Sequence, residues 1–348
     1  MDSADRENQT QKKPPAGRRR PISVTDQSLI RISALDAGQS LPVVIQPDFE
    51  GVDLIAWAAK QRALIEDHLR QAGAILFRNF RIGFAGEFER FIQAISGELL
   101  EYRERSSPRR LVLGRIYTST DYPAEHAIFP HNENSYASMW PLKIFFFCET
   151  PAESGGETPL ADVRKVLRRI PPKIRDRFAA AGWMHVRNFG AGLGLDWQTV
   201  FQTRDKLEVE RYCREAGIHY EWRSHDRLRI RRIMPAITRH PQTGESVWFN
   251  HAAFFHVSTL DEAIRKTIRA EFDDQDLPNN TYYGDGSVIE DDVMEVLRDA
   301  YKQELVRFSW KKGDLLLVDN MLTAHARAPF TGERRILVGM AEPFRSGE

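Results

Sequence analysis

The stretch Leu315-Leu316-Leu317-Val318-Asp319-Asn320-Met321-Leu322-Thr323-Ala324-His325-Ala326-Arg327 decides how this chain is read. Its first half is a short aliphatic run with the composition of a strand, and its second half carries a histidine just beyond that strand. Working outward, Leu305–Trp310 and Arg335–Ala341 are also short and β-rich, and Gly313 and Gly332 separate the three segments. Far upstream, Ala74-Ile75-Leu76-Phe77 and Ile144-Phe145-Phe146-Phe147-Cys148 read as buried strands, the second bounded by Pro141 and Pro151. Helical patterns lie between and before them. Leu54, Ile55, Trp57, Ala58, Leu64, Ile65 and Leu69 recur at mostly three and four, stopped by Gly73; Phe88, Phe91, Ile92 and Ile95 form a second stripe. Further helices are expected over Val163–Arg169, Pro172–Ala181, Lys206–Ala216, Leu260–Phe272 and Val288–Tyr301. Early strands, a helical middle and late strands predict a mainly β core with α insertions. Such a core needs both ends of the chain to close, hence a single domain over 21–348 with a helical insertion at about 163–302.

Composition bounds the function. The 348 residues hold 49 Lys+Arg and 49 Asp+Glu, so the net charge is zero, which argues against nucleic acid or an anionic membrane as partner. No apolar run is long enough to span a bilayer, and the first 20 residues, with Arg18-Arg19-Arg20, lack the apolar centre of a secretory signal. That segment is expected to be a disordered basic tail. Cys148 and Cys213 are too few for a disulfide framework or a cysteine-based zinc site, so reduced thiols in a cytoplasmic protein are expected.

The chemistry resides in His131-Asn132-Glu133 and the distant His325. Residues i and i+2 of an extended chain point the same way, so His131 and Glu133 can meet at one point. With His325 they make two imidazoles and one carboxylate, the set with open positions that non-haem Fe(II) oxygenases use. A His-x-acid pair is expected by chance among 10 histidines, and His219-Tyr220-Glu221 is a second one. That pair follows a helix end, has no evident partner, and reads as surface. His131-Asn132-Glu133 instead has companions in order: Gly155-Gly156-Glu157-Thr158, then His325-Ala326-Arg327, then Arg334-Arg335.

This order resembles the taurine dioxygenase/clavaminate synthase-like group of Fe(II)- and 2-oxoglutarate-dependent dioxygenases, from about residue 74 to the C-terminus. The string His131-Asn132-Glu133-Asn134-Ser135-Tyr136 with Trp140-Pro141 is most similar to the amino-acid β-hydroxylases of nonribosomal-peptide pathways. The resemblance implies a double-stranded β-helix (jelly-roll) core flanked by helices. It implies that His131, Glu133 and His325 bind Fe(II), with 2-oxoglutarate and O2 as co-substrates. It further implies that Thr158 and either Arg334 or Arg335 hold the far carboxylate of 2-oxoglutarate; a guanidinium suits that task because it donates two parallel hydrogen bonds. Glu133 argues against the related halogenases, which lack this carboxylate.

The expected reaction is hydroxylation of an unactivated C–H bond, at the β-carbon of an amino acid that is free or held on a peptidyl carrier protein. Oxidation of a small sulfonate or carboxylate, or a desaturation, is the alternative within the class. A non-catalytic jelly-roll binding protein and a zinc hydrolase are alternatives outside it. Asn132, Asn134, Arg327 and Asn250 are candidates for contact with substrate. Each has a plainer reading as a turn residue, a salt-bridge partner or a satisfied core group.

Overall fold

The computed structural model describes residues 29–36, 38–100, 109–190 and 194–345. The basic segment 1–20, and the disorder expected of it, lie outside the described residues. Eight strands form the major sheet, in the order Ile30–Ala34, Val43–Pro47, Ala74–Phe77, Leu315–Asp319, Met139–Thr150, Arg335–Arg345, Ile116–Thr118 and Leu111–Leu113. Its centre thus interleaves early and late chain: Phe146 faces Leu316 on one side and Val338 on the other, all antiparallel. A smaller sheet sets Thr323–Arg327 between Ile128–His131 and Leu160–Asp162. The two sheets are the walls of a double-stranded β-helix, the expected jelly roll.

Packing explains why the central strands are continuously apolar. Ile144, Phe146 and Cys148 face the interior with Leu316, Val318, Ile336, Val338 and Met340. Phe145 and Phe147 face outward and are covered by Phe88 and Phe91 of the helix Ala85–Ser96, at ring-centroid distances of 5.6 Å (Phe88–Phe147) and 6.3 Å (Phe91–Phe145). A strand buried on both faces has no polar side to alternate with. Each fully buried Phe contributes about 1.5–3 kcal/mol.

The stripe from Leu54 to Leu69 is two helices, Leu54–Lys60 and Arg62–Ala72, not one. The break at Gln61 falls among the five residues between Ala58 and Leu64, a spacing that i,i+3 and i,i+4 neighbours do not bridge. Asp53 caps the first helix by accepting from the amides of Ile55 and Ala56. Gly73 ends the second in the left-handed region, at φ +82°, and a Cβ there would sit 2.3 Å from Thr323 Oγ1. That close approach brings the helix end against the strand that carries His325.

The segment 163–302 corrects the expectation of a helical insertion. All five expected helices occur, but a four-stranded sheet runs among them, in the order His219–Arg223, Arg227–Met234, Trp183–Phe189 and Asn279–Tyr283. The signal was alternation, as in Arg227-Leu228-Arg229-Ile230, with arginines masking the strand. Leu305–Trp310, expected as a strand, makes only one bridge, Val306 to Leu160. Phe308 and Trp310 turn into the core instead, and Trp310 Nε1 donates to Thr158 Oγ1 at 3.1 Å. Among the described residues no helix is long and apolar enough to cross a membrane.

Candidate metal centre and active site

Strand register builds the site. His325 lies directly opposite His131 in the smaller sheet, so two residues 194 positions apart present their rings at a centroid distance of 4.4 Å. Glu133 follows two residues after His131 and is buried. One ligand atom from each of His131, Glu133 and His325 lies within 4.8 Å of the other two. Ligands about 2.1 Å from one ion sit roughly 4 Å or less apart, so small rotations close this set on a metal.

The two imidazoles are in the state that binds a cation. His131 Nδ1 donates to the carbonyl of Phe129 at 2.9 Å, which leaves its Nε2 lone pair free to ligate. Burial holds His131 below its ordinary value against the pull of Glu133, and burial with nearby His131 and Arg109 holds His325 well below. Both imidazoles are therefore neutral at pH 7, the form that binds metal. His325 Nδ1 is buried without a hydrogen-bond partner, and Phe146 packs on the ring at 5.1 Å. A neutral pair of imidazoles beside one carboxylate fits an iron(II) ion with three positions left open.

A cavity opens on this set and is lined by Thr158, Arg334, Phe146, Ile336 and Val338 together with His131 and His325. Arg334 Nε donates to the carbonyl of Gly156 at 2.8 Å, and Nη2 lies 3.5 Å from Thr158 Oγ1. Gly156 makes room for it: at φ +70° a Cβ would come within 2.9 Å of Arg334 Cδ. Burial beside Arg327 lowers the Arg334 pKa to about 10, so it stays cationic at neutral pH. Arg335 points the other way, 47% exposed, and pairs with Glu149. The structure thus brings Thr158 and Arg334 to the metal set and leaves Arg335 outside.

The four candidate substrate contacts divide. Asn134, at φ +55°, lines a second cavity against His131 and Glu133, with Tyr136, His251 and Phe254. Arg327 lines the first cavity, but its guanidinium donates to the carbonyls of Tyr122, Pro123 and His126 at 2.6–2.8 Å, tying down the loop that edges the site. Asn132 is fully buried and donates to the carbonyl of Asn320 at 2.6 Å. Asn250 donates to the carbonyl of Ala236 and accepts from the amide of Ala252. Asn250 is scaffold, because both its amide atoms answer buried backbone groups; Asn132 does so through Nδ2 alone, its Oδ1 being buried without a hydrogen-bond partner, and neither residue lines these cavities.

Sequence reasoning missed three contributors. Asn320, fully buried, accepts from the Glu133 amide at 2.7 Å and donates to the carbonyls of Glu133 and Pro141 at 2.9 and 2.8 Å. Its signal was the Asp-Asn step that ends an aliphatic strand. His251 reads from sequence as a satisfied core histidine; it is buried, its Nδ1 lies 2.6 Å from Ser135 Oγ, and it lines the second cavity. Arg109 forms a 2.8 Å ion pair with Glu133, both side chains about 5% exposed, from a charged segment that gave no signal.

Comparison with known proteins agrees with this geometry. The family model for the taurine catabolism dioxygenase TauD, TfdA family matches residues 37–341. The dapdiamide synthesis protein DdaC of Enterobacter agglomerans is 40% identical over 280 residues, covering 80% of this chain and 85% of that protein. A clavaminate synthase-like protein of Arabidopsis thaliana is 27% identical over 321 residues, 86% and 93% of the two chains. In fold, the chain is similar to PvcB, an Fe, α-ketoglutarate dependent oxygenase from an isonitrile synthetic pathway (TM-score 0.55, 14% identity, 95% and 98% covered). It is also similar to a taurine dioxygenase from Burkholderia xenovorans (TM-score 0.53, 16% identity, 91% and 92% covered). With a family match over nearly its whole length and a His-Glu-His set at the mouth of its jelly roll, the chain belongs to the TauD/TfdA family of iron- and 2-oxoglutarate-dependent dioxygenases.

Proposed function

We propose that the protein hydroxylates an unactivated C–H bond of an amino-acid-like small molecule, free or held on a peptidyl carrier protein, in a biosynthetic pathway. The observation that carries this reading is the cluster His131, Glu133 and His325 opening onto a cavity that ends in Arg334 and Thr158. Bound iron, with 2-oxoglutarate and O2, supplies an oxidising power that no side chain has. The remaining work belongs to this chain. Arg334 and Thr158 receive the far carboxylate of 2-oxoglutarate, a charge-assisted pairing in a dry pocket. Phe146, Ile336 and Val338 exclude water from the reacting face. Asn134, Tyr136, His251 and Phe254 wall the second cavity, where a small polar substrate lies against His131. The 40% identity to a dapdiamide synthesis protein supports a biosynthetic substrate.

The test is an anaerobic titration of the protein with Fe(II) and then 2-oxoglutarate, followed in the visible spectrum. A weak charge-transfer band that requires both additions is expected. Succinate release with O2 is then measured over amino acids, their thioesters on a carrier protein, and taurine. No band from folded protein refutes the oxygenase reading. A band with turnover of taurine alone moves the substrate to a sulfonate.

A further inference from the structure

Glu133 Oε2 has two competing partners. It faces His325 Nε2 at 3.9 Å, which makes it the oxygen turned toward the metal position. The same oxygen accepts from Arg109 Nη2 at 2.8 Å. A divalent ion shared among His131, Glu133 and His325 would then stand within a few ångströms of a guanidinium only 5% exposed, with little water between to screen them. Arg109 lines both cavities that meet at His131, and these are where it can turn. Each cavity is expected to receive a carboxylate, of 2-oxoglutarate in one and of substrate in the other.

We infer that Arg109 is a metal-displaced carboxylate receptor: it neutralises Glu133 until metal arrives, then turns its planar fork to a ligand carboxylate beside the metal. The inference rests on the oxygenase reading for the identity of that ligand, but not for the competition over Glu133. An arginine so placed couples the two binding events, because the ion that takes over Glu133 also releases the group that recognises the organic anion. Planar, bidentate recognition is what distinguishes Arg from Lys here.

Two readouts on Arg109→Gln and Arg109→Lys test it. Co(II) is titrated into metal-free protein by its visible spectrum. Arg109→Gln is expected to bind Co(II) about tenfold or more tightly than wild type, since a repelling charge is gone, while Arg109→Lys keeps the charge and stays near wild type. A residue that merely orients Glu133 gives the opposite sign, a loss of affinity. Then 2-oxoglutarate, and separately the twenty common L-amino acids with their carboxamides, are titrated into the Co(II) forms by calorimetry. Both variants should weaken one of these carboxylate ligands about tenfold or more, and which one identifies the source. Unchanged or weaker Co(II) binding by Arg109→Gln overturns the inference, as does undiminished binding of every carboxylate by both variants. Should Arg109→Gln fail to fold, weakened carboxylate binding by Arg109→Lys supports the inference and its absence overturns it. Failure of the oxygenase reading shows separately, as a missing Fe(II)–2-oxoglutarate band in wild type.

Discussion

Replacing Asn320 by Ala separates two things the site needs, a stable scaffold and an aimed carboxylate. The Asn320 side chain makes three hydrogen bonds in a place no water reaches: one from the Glu133 amide and two to the carbonyls of Glu133 and Pro141. Alanine leaves one N–H and two C=O groups buried without partners. At about 1 kcal/mol net each, the loss is roughly 3 kcal/mol. For a chain of this size that is a fall of roughly 4 °C in Tm. The metal effect is distinct, since the clasp fixes both backbone groups of a metal ligand; loss of such support costs about 10–100-fold in metal affinity. The assay is thermal unfolding of metal-free protein together with Co(II) titration. Asn250→Ala is the comparison, because it removes two buried hydrogen bonds away from the ligands and should lower Tm without touching metal affinity. If Asn320→Ala loses stability yet binds Co(II) within about threefold of wild type, the clasp does not position Glu133 and the reasoning is wrong.

Arg334→Gln should weaken 2-oxoglutarate by roughly 10–100-fold, the worth of a charge-assisted hydrogen bond, whereas Arg335→Ala should leave it unchanged; equal effects from both would refute the assignment of Arg334 to the cavity. Burial, with Arg187, lowers His185 to about 3, and burial lowers His256 to about 4 against the pull of Asp291. Below pH 6.5 the unfolded chain therefore takes up protons that the folded one refuses. Stability is full above that pH and falls toward pH 4, by about 2 kcal/mol per histidine at pH 5. Urea unfolding of metal-free protein at pH 8 and pH 5 measures it, and a flat profile contradicts it. Cys148 is buried and its thiol is pushed up to about 12, first by burial and then by Asp314, so Ellman's reagent at pH 8 should find it only after unfolding. A fast-reacting Cys148 in native protein would show that the interior opens.

The order of motifs made the metal set legible, because His131, Glu133 and His325 are unusual side chains whose neighbours carry independent signals. The choice between Arg334 and Arg335 was not legible. The strand that follows is buried on both faces, with Ile336 and Val338 inward and Leu337 outward, so aliphatic residues give no sign of which face is the cavity. In the structure Arg334 passes where Gly156 lacks a side chain, while Arg335 pairs with Glu149 on the other face. Asn320 and Arg109 escaped notice for a different reason. Their partners lie 187 and 24 residues away, and only the closed sheet brings them to Glu133. Asn250 shows the converse: a polar residue beside an aromatic run looks like a ligand contact, yet the buried carbonyl of Ala236 and amide of Ala252 take both its amide atoms.

The interleaving of early and late strands has a consequence for synthesis on the ribosome. His131 finds its register against His325, and the strand bearing Phe146 is flanked by Leu315–Asp319 and Arg335–Arg345, both made long after it. A nascent chain therefore carries two of the three ligands, His131 and Glu133, long before His325 is made, and pairings of such long range are slow to form. The three-ligand set cannot close on iron until His325 has been made. A truncated product lacks the second imidazole altogether, so an incomplete chain does not become an unguarded source of oxidant.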